Sequence, residues 1–247
     1  MQVTAYKTHK IQPNESLFGI LDHYLPCLQP KSIVVITSKI ISLCQNRLVR
    51  KEAVENKFQL IQKEADLYLE GDYIDKYGIC LTIKNEILIP TAGIDESNGN
   101  GYYILYPQNL QETAFEIWLH LRKKINDQEV GVLITDSHTT PLRRGVTGIA
   151  LGWCGFEPLF SYVGKPDIFG SLLRVTSMNL LDSLAASAVF VMGEGEEQTP
   201  LAVIQQAPKI TFQDRPPTAE EIRSVTILPS EDLYAPLLTS VNWKKGG

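Results

Sequence analysis

Residues 79–106 read ICLTIKNEILIPTAGIDESNGNGYYILY, and this segment decides the fold class. Two strand-like runs, CLTIK (80–84) and EILIPT (86–91), flank Asn85, a pattern typical of two strands joined by a tight turn. Elsewhere, helical and strand-like runs interleave, but not as regular strand–helix units. Hairpins are therefore favoured over a doubly wound parallel sheet, and the sequence predicts an α+β fold of mixed β-sheets with flanking helices.

Hydrophobic periodicity extends this prediction along the chain. Apolar, β-branched runs predict buried strands at SIVVITS (32–38), VGVLITD (130–136) and LAVIQ (201–205), and VTGIALG (146–152) is a further apolar run. Helices are predicted at residues 15–25, directly after Asn14, and at 53–70, 112–125 and 178–191.

Composition narrows the class of protein. The 247 residues are 44% hydrophobic, as in a globular protein, and their net charge of −5 argues against nucleic acid as the main partner. We interpret residues 1–247 as one unit, with an internal boundary near 70–76 or 107–112. Four cysteines without a CxxC pair, no signal-like start and no run of about 18 apolar residues predict a cytoplasmic protein with free thiols and no membrane contact.

Three short acidic segments are candidates for chemistry, and each has a simpler alternative. In TAGIDESNGNG (91–101), Asp95 and its polar neighbours suit a hard cation, but the same residues are usual in turns. In GVLITDSHTTPLRRGVTGIALG (131–152), Asp136 ends an apolar strand and two arginines follow; it could bind a metal and a phosphate, or cap a loop beside a solvated arginine pair. In VMGEGEEQTP (191–200), glutamates alternate with glycines, which suits a phosphate loop with a counter-cation but also an acidic surface loop.

Several common nucleotide and hydrolase motifs do not occur. The sequence has no GxxxxGK[ST], no GxGxxG after a strand, no GxSxG and no HExxH. A bound nucleotide would therefore need a less common architecture.

In order along the chain, six stretches resemble the coenzyme F-420-0:γ-glutamyl ligase family. They are ITSKIIS (36–42), AGIDESN (92–98), VGVLITD (130–136), RRGVTGIALG (143–152), PDIFG (166–170) and MGEGEEQTP (192–200). The resemblance implies an enzyme that uses ATP or GTP and Mg²⁺ or Mn²⁺, with two ions, to join L-glutamate to a cofactor carboxylate. It also implies intertwined subdomains, an intertwined homodimer and no fused C-terminal reductase domain.

The same resemblance assigns roles to individual positions. Asp95, Asp136 and Glu194 match the family's metal ligands, with Ser137 as a further ligand. Nucleotide contacts fall on Ile11, Ser38, Lys39, Asn98, Met192, Gly193, Gly195, Glu196, Glu197, Gln198 and Thr199. Arg143 or Arg144 would clamp phosphate or the incoming glutamate. The acceptor carboxylate would first take a phosphoryl group, because hydroxide is too poor a leaving group for direct attack by an amine.

The sequence departs from the family pattern at two places. The family commonly has SKxxSKAEG, but this chain has Leu43 and Asn46 where the second lysine and the glycine stand. It also has Thr139-Thr140 where the family commonly has glycine and arginine after the second metal motif. These changes surround the substrates rather than the metal, so two acceptors stay open: the deazaflavin F-420-0 and a folate, as in a branch thought to glutamylate folate.

Two other classes of function are alternatives. One is a non-catalytic descendant that binds a nucleotide or pterin and acts through partner contact. The other is a different phosphoryl-transfer enzyme on the same scaffold.

Overall fold

The computed structural model describes residues 1–71, 76 and 78–247. Its strands, in chain order, are β1 (Gln2–Tyr6), β2 (Ser32–Thr37), β3 (Leu48–Arg50), β4 (Leu67–Tyr68), β5 (Leu81–Lys84), β6 (Ile87–Pro90), β7 (Tyr102–Ile104), β8 (Val130–His138), β9 (Thr147–Cys154), β10 (Leu159–Ser161), β11 (Ser177–Asn179), β12 (Leu201–Gln205) and β13 (Lys244–Lys245). Its α-helices are α1 (Leu17–Tyr24), α2 (Ser38–Cys44), α3 (Lys57–Glu64), α4 (Leu110–Lys124), α5 (Leu180–Met192), α6 (Ala219–Ser224) and α7 (Ala235–Leu238). The 3₁₀ turns are Lys51–Ala53 and Thr91–Gly93. The predicted mixed α+β fold is confirmed.

A five-stranded mixed sheet in the order β1-β12-β2-β8-β9 organises the protein. Strands β2 and β8 are parallel, and the other neighbours are antiparallel. Strand β2 is buried on both faces, which explains why its sequence is a continuous apolar run rather than an alternating one. Val34 and Ile36 pack beneath α1, α2 and α4, whereas Ile33 and Val35 face α5.

Smaller sheets carry the stretch between α2 and α4. The predicted hairpin is confirmed: β5 and β6 are antiparallel, and Asn85 and Glu86 have φ values of 49° and 63°, as a two-residue hairpin turn with the right twist requires. This hairpin joins a four-stranded sheet with β4 and β13, and β3 pairs with β7. Helix α4, which packs on β8 and β9 of the large sheet, begins at Leu110. The predicted boundary at 107–112 stays a prediction, and the other, at 70–76, falls largely on residues outside the described part.

One helix prediction, over 53–70, was wrong in extent, and the prediction for 15–25 is confirmed within two residues as α1. The first helix begins at Leu17 rather than after Asn14, because the Ser16 side chain accepts the Gly19 N–H and caps it. The helix predicted over 53–70 is confined to α3. Asn56 caps its start, and Leu67 and Tyr68 pair with β5 instead, so strand pairing overrides the amphipathic pattern. The predictions for 112–125 and 178–191 are confirmed within two residues as α4 and α5.

Among the described residues, no helix is both long and apolar enough to cross a membrane. The four cysteines are free; Cys80 and Cys154 are buried, and Cys27 is exposed.

Candidate active site

The parallel pairing of β2 with β8 brings Ser38 and Asp136 side by side. Thr37 is level with Thr135, and the parallel pairing ends there: the chain leaves β2 after Thr37, whereas β8 continues beside β9 to His138. Ser38 Oγ donates a hydrogen bond of 2.9 Å to Asp136 Oδ2, and the Ser137 N–H donates one of 2.8 Å to Oδ1. Burial raises the pKa of Asp136 to about 6, although these two hydrogen bonds act to lower it. The end of the parallel pairing therefore holds a half-buried carboxylate that a further cation would stabilise.

Asp95 reaches the same place from the loop after β6. Lys39 Nζ lies 2.5 Å from Asp95 Oδ2, and the Ser97 N–H and hydroxyl each donate a hydrogen bond of 2.7 Å to Oδ1. Burial acts to raise the pKa of Asp95, but the Lys39 charge and these donors outweigh it and hold the pKa below its usual value. Asp95 is therefore an ionised carboxylate at the cluster.

Glu194 arrives from the opposite face of the large sheet, in the loop after α5. Burial raises its pKa, while the nearby Ser137 hydroxyl and the charge of Lys39 act in the other direction. Asp95 is close enough for its charge to raise the pKa of both Glu194 and Asp136. The three predicted metal-binding segments therefore meet in one cluster around Lys39.

The loop 192–199 folds tightly beside this cluster. The Gly195 N–H donates to Glu197 Oε2 at 2.8 Å, and Thr199 Oγ1 donates to the Met192 carbonyl. Gly193 has φ 80°, and a Cβ there would lie 2.4 Å from Glu197 Cδ, so only glycine fits. Two contacts tie the loop to its neighbours: Asn98 Nδ2 donates to the Gly195 carbonyl at 3.4 Å, and the Thr8 N–H donates to the Gln198 carbonyl at 2.9 Å.

The outer parts of the predicted site are less closely joined to the cluster. Ile11 is partly buried against the core beneath α1. Arg143 and Arg144 are exposed in the β8–β9 loop, and within the described residues neither guanidinium makes an ion pair or side-chain hydrogen bond. Glu96, adjacent to Asp95, turns away to bind Lys51 at 3.0 Å and also Lys57.

Whether a divalent cation suits the cluster depends on donor type and on spacing. The donors are the carboxylates of Asp95, Asp136 and Glu194 and the Ser137 hydroxyl, an all-oxygen set of the kind that Mg²⁺ and Mn²⁺ prefer. In the described part of the chain, however, no three acidic, histidine or cysteine side chains already converge on one ion position. The ammonium group of Lys39 neutralises Asp95 instead. The donor atoms suit the ion, provided that the Lys39 ammonium group moves away from Asp95.

A family model described as F420-0:Gamma-glutamyl ligase matches residues 6–206. The chain belongs to this family. A coenzyme F420:L-glutamate ligase of Methanococcus maripaludis is 31% identical over 223 residues, covering 84% of this chain and 89% of that protein. The enzyme of the same name from Methanopyrus kandleri is 28% identical over 240 residues, covering 91% and 93%, and that from Methanocaldococcus jannaschii is 31% identical over 193 residues, covering 73% and 77%.

The departures from the family pattern lie at the rim of the cluster. Leu43 is one helical turn beyond Lys39 on α2, and so shares its face of the helix. Asn46 takes φ 54°, a left-handed conformation that asparagine tolerates better than most residues and in which glycine is at ease. Thr139 and Thr140 directly follow β8. The three carboxylates at the centre are unaffected by these changes.

The sequence did not point to Tyr106, a buried residue near the cluster. Tyr106 is 2% exposed, and its hydroxyl has no hydrogen-bond partner among the described residues. Burial, and to a smaller extent the charge of Asp136, raises the pKa of this phenol. A single aromatic residue after a strand gives no sequence signal of such a position.

Replacement of Ser38 tests whether its hydrogen bond to Asp136 contributes to metal binding as well as to stability. Ser38→Ala removes one donor from a half-buried carboxylate and is expected to cost about 1–3 kcal/mol of unfolding free energy. Because Asp136 would also lose its orientation, binding of Mn²⁺ should weaken at least about tenfold. Urea unfolding and Mn²⁺ titration measure the two effects.

Ser42→Ala is the matched control. Ser42 is one turn later on α2 and donates to the Leu105 carbonyl at 2.7 Å, so its loss should lower stability alone. Equal Mn²⁺ affinity in both variants would contradict a role for Ser38 in the cluster.

Proposed function

We propose that the protein is a glutamate ligase that depends on a nucleoside triphosphate and a divalent metal ion. The proximity of the Asp95 loop, the Glu194 loop and Asp136 around Lys39 carries this proposal, since three segments far apart in sequence have no local reason to bring their acidic residues to the same region. Family membership and relatives named as ligases support the same chemistry.

Each part of the cluster has a task in this reaction. Asp95, Asp136, Glu194 and the Ser137 hydroxyl would hold Mg²⁺ or Mn²⁺, two ions in all, which would neutralise charge on the transferred phosphate. Lys39, released from Asp95, and Ser38 would face the nucleotide. The loop 192–199, with its glycines and Asn98 alongside, would wrap the phosphates through backbone N–H groups. Ile11 would border the nucleotide from the N-terminal stretch.

The chemistry proceeds in two transfers. An oxygen of the acceptor carboxylate attacks the γ-phosphorus, the bond to the nucleoside diphosphate breaks, and an acyl phosphate forms. The glutamate amine then attacks the acyl carbon, inorganic phosphate leaves, and the nitrogen loses a proton to give the amide. Positioning and charge neutralisation suffice, so no nucleophilic side chain is needed. Arg143 or Arg144, on the loop that follows Asp136, would clamp phosphate or the glutamate carboxylates.

Two acceptors have separate support. The description of the family model favours coenzyme F-420-0, and the relatives are named as ligases for coenzyme F420. The apolar Leu43 on the Lys39 face and the Thr139-Thr140 pair favour a changed acceptor, a folate, which also presents a fused heterocycle and a carboxylate to be extended. We propose a cytoplasmic enzyme, since it has four free cysteines.

A reconstituted assay tests the ligase proposal. Purified protein with Mn²⁺ or Mg²⁺, ATP or GTP, L-glutamate and each acceptor in turn should release phosphate only when glutamate and one acceptor are present. Mass spectrometry should show that acceptor extended by a glutamyl unit. Asp95→Asn, which removes a proposed ligand charge, should lower the rate at least about hundredfold.

Glu96→Gln is the control for that variant, because Glu96 is adjacent in sequence but turned toward Lys51 and Lys57, and it should keep most of the activity. If no combination gives a glutamylated product while nucleotide still binds, the protein is a non-catalytic descendant. Transfer of phosphate to an acceptor without a glutamyl unit would instead indicate another phosphoryl-transfer enzyme.

The long hairpin built on β10 and β11 supports a homodimer. Its outer part exposes apolar side chains that nothing in the described chain covers, among them Ile168 (91% exposed), Phe169 (87%) and Val175 (89%). The Asp167 carboxylate accepts the N–H groups of Phe169 and Ser171, so the tip is a defined turn rather than a loose loop. Apolar groups presented on an ordered hairpin are typical of a protein interface.

Sedimentation velocity tests the dimer. The wild-type chain should sediment as a dimer, and the double variant Ile168→Asp/Phe169→Asp as a folded monomer, because two buried charges would make association unfavourable. Leu119→Asp, an exposed apolar position on α4, is the control and should stay dimeric. A monomeric wild-type protein would refute the interface.

A further inference from the structure

A cavity of about 670 Å³ lies beside the C-terminal end of α2. Its walls come from residues 46–49 after that helix, from α3, from the turn between β5 and β6, and from residues 105–109 before α4. Since an α-helix rises by about 1.5 Å per residue, this end of α2 is roughly 10 Å from Ser38 at its other end. The cavity is therefore separate from the carboxylate cluster, and it is of the size that holds small-molecule ligands.

Cationic side chains dominate the charge of this cavity. Arg47, Lys63 and Lys84 line it, and Glu64 is the one carboxylate among the described lining residues. Three cations and one carboxylate leave a net charge of +2, in a chain whose net charge is −5. Glu64 is already paired with Arg47 at 2.7 Å. The charge that remains for a ligand is therefore that of the two lysines, and it favours an anion.

Neither lysine is neutralised at close range by the rest of the protein. Lys63, in the last turn of α3, makes no ion pair or hydrogen bond within the described residues. The side chain of Lys84 is only 20% exposed, yet its ammonium group lies 3.6 Å from Asp66 Oδ1, while Asp66 Oδ2 accepts the Asn85 N–H at 2.6 Å. Carboxylates that entered the cavity would give both ammonium groups a charge-assisted hydrogen bond.

Amide side chains complete the polar lining. Asn46, Asn85 and Asn109 have φ values of 54°, 49° and 50°, so each holds a turn at the edge of the cavity. Within the described part of the chain, none of the three side-chain amides makes a hydrogen bond. Asn46 stands where the family commonly has glycine, so this chain adds a donor and an acceptor there. These groups suit a ligand with amide or carboxylate groups of its own.

A stacked heterocycle is a poorer match for the cavity. Tyr106 is the only aromatic residue among the described residues that line it, and Tyr106 is 2% exposed. The cavity therefore offers no open ring face on which a base or pterin could stack.

We propose that this cavity binds a flexible polycarboxylate, whose carboxylates pair with Lys63 and Lys84 while the three asparagines contact its remaining polar groups. Two sources present that chemistry: a γ-glutamyl tail carried by the acceptor or product, and a free di- or tricarboxylic acid. A tail is long enough to reach from the cluster, because roughly 10 Å is the span of about three extended residues. The first source rests on the proposed ligase function, whereas the site itself does not.

Isothermal titration calorimetry with the purified protein, without metal ion or nucleotide, tests the site. Tri-γ-glutamate is the probe, in about 0.15 M salt so that attraction between exposed charges is screened. The wild type should bind it, and Lys63→Glu should weaken binding at least about tenfold, because an attractive charge becomes a repulsive one. The unfolding midpoint of Lys63→Glu in urea should stay close to that of the wild type, since Lys63 has no partner within the described residues to lose.

Lys123→Glu is the matched control. Lys123 is likewise exposed and lies in the last turn of its helix, α4, so the variant has the same net charge and the same change at a helix end. It should bind tri-γ-glutamate as the wild type does. Equal affinity in the two variants, or no binding by the wild type, would overturn the proposal whether or not the protein is an active ligase.

Citrate, titrated in the same way, distinguishes the two sources. Tighter binding of tri-γ-glutamate than of citrate, with the loss in Lys63→Glu, would assign the cavity to a glutamyl tail. Tighter binding of citrate, with the same loss, would assign it to a free polycarboxylic acid.

Discussion

The parallel pairing of β2 with β8 is the constraint on which the candidate site depends. Thr37, the last residue of β2, is paired with Thr135, so the first residue of α2 and the seventh residue of β8 lie side by side where the parallel pairing ends. Ser38 and Asp136 are those residues. The other segments are brought to this fixed point: the Asp95 loop by the smaller sheets, and the loop after α5 from the far face of the large sheet.

The site places the negatively charged side chains of Asp95, Asp136 and Glu194 near the ammonium group of Lys39. Asp136 is half-buried at a cost that its two hydrogen-bond donors do not remove, as its raised pKa shows. Lys39 neutralises Asp95 and also acts on Asp136 and Glu194. The divalent cation that we propose would take over part of the neutralising role that Lys39 now has toward these carboxylates. The ligase chemistry that we propose needs that ion close to a bound phosphate.

Much of the fold could be predicted from periodicity and turn chemistry. The strands at 32–37 and 201–205 and the hairpin around Asn85 follow from local apolar runs and from a turn that asparagine tolerates. The helix predicted over 53–70 was too long, because its last residues pair with a strand that lies well beyond them in sequence. Local patterns do not carry information about such non-local partners.

The same limit applies to the site. Taken alone, the segments at 91–101 and 191–200 fit an ordinary loop better than a site, and the segment at 131–152 leaves the two alternatives even. Only the family resemblance joins the three. That Asp95 faces the cluster while Glu96 turns to Lys51 and Lys57 depends on the position of α3, which no motif encodes. Tyr106 was missed for the same reason, since its place beside Gly93 and Asp136 arises from the packing of distant segments.

Anomalous diffraction from crystals grown with Mn²⁺ and GTP tests the central claim most directly, because it locates the ion without reference to activity. Our account predicts manganese peaks between the carboxylates of Asp95, Asp136 and Glu194, with Lys39 displaced from Asp95 toward the nucleotide. Manganese bound elsewhere, or a cluster in which Lys39 still pairs with Asp95 beside a bound nucleotide, would contradict it.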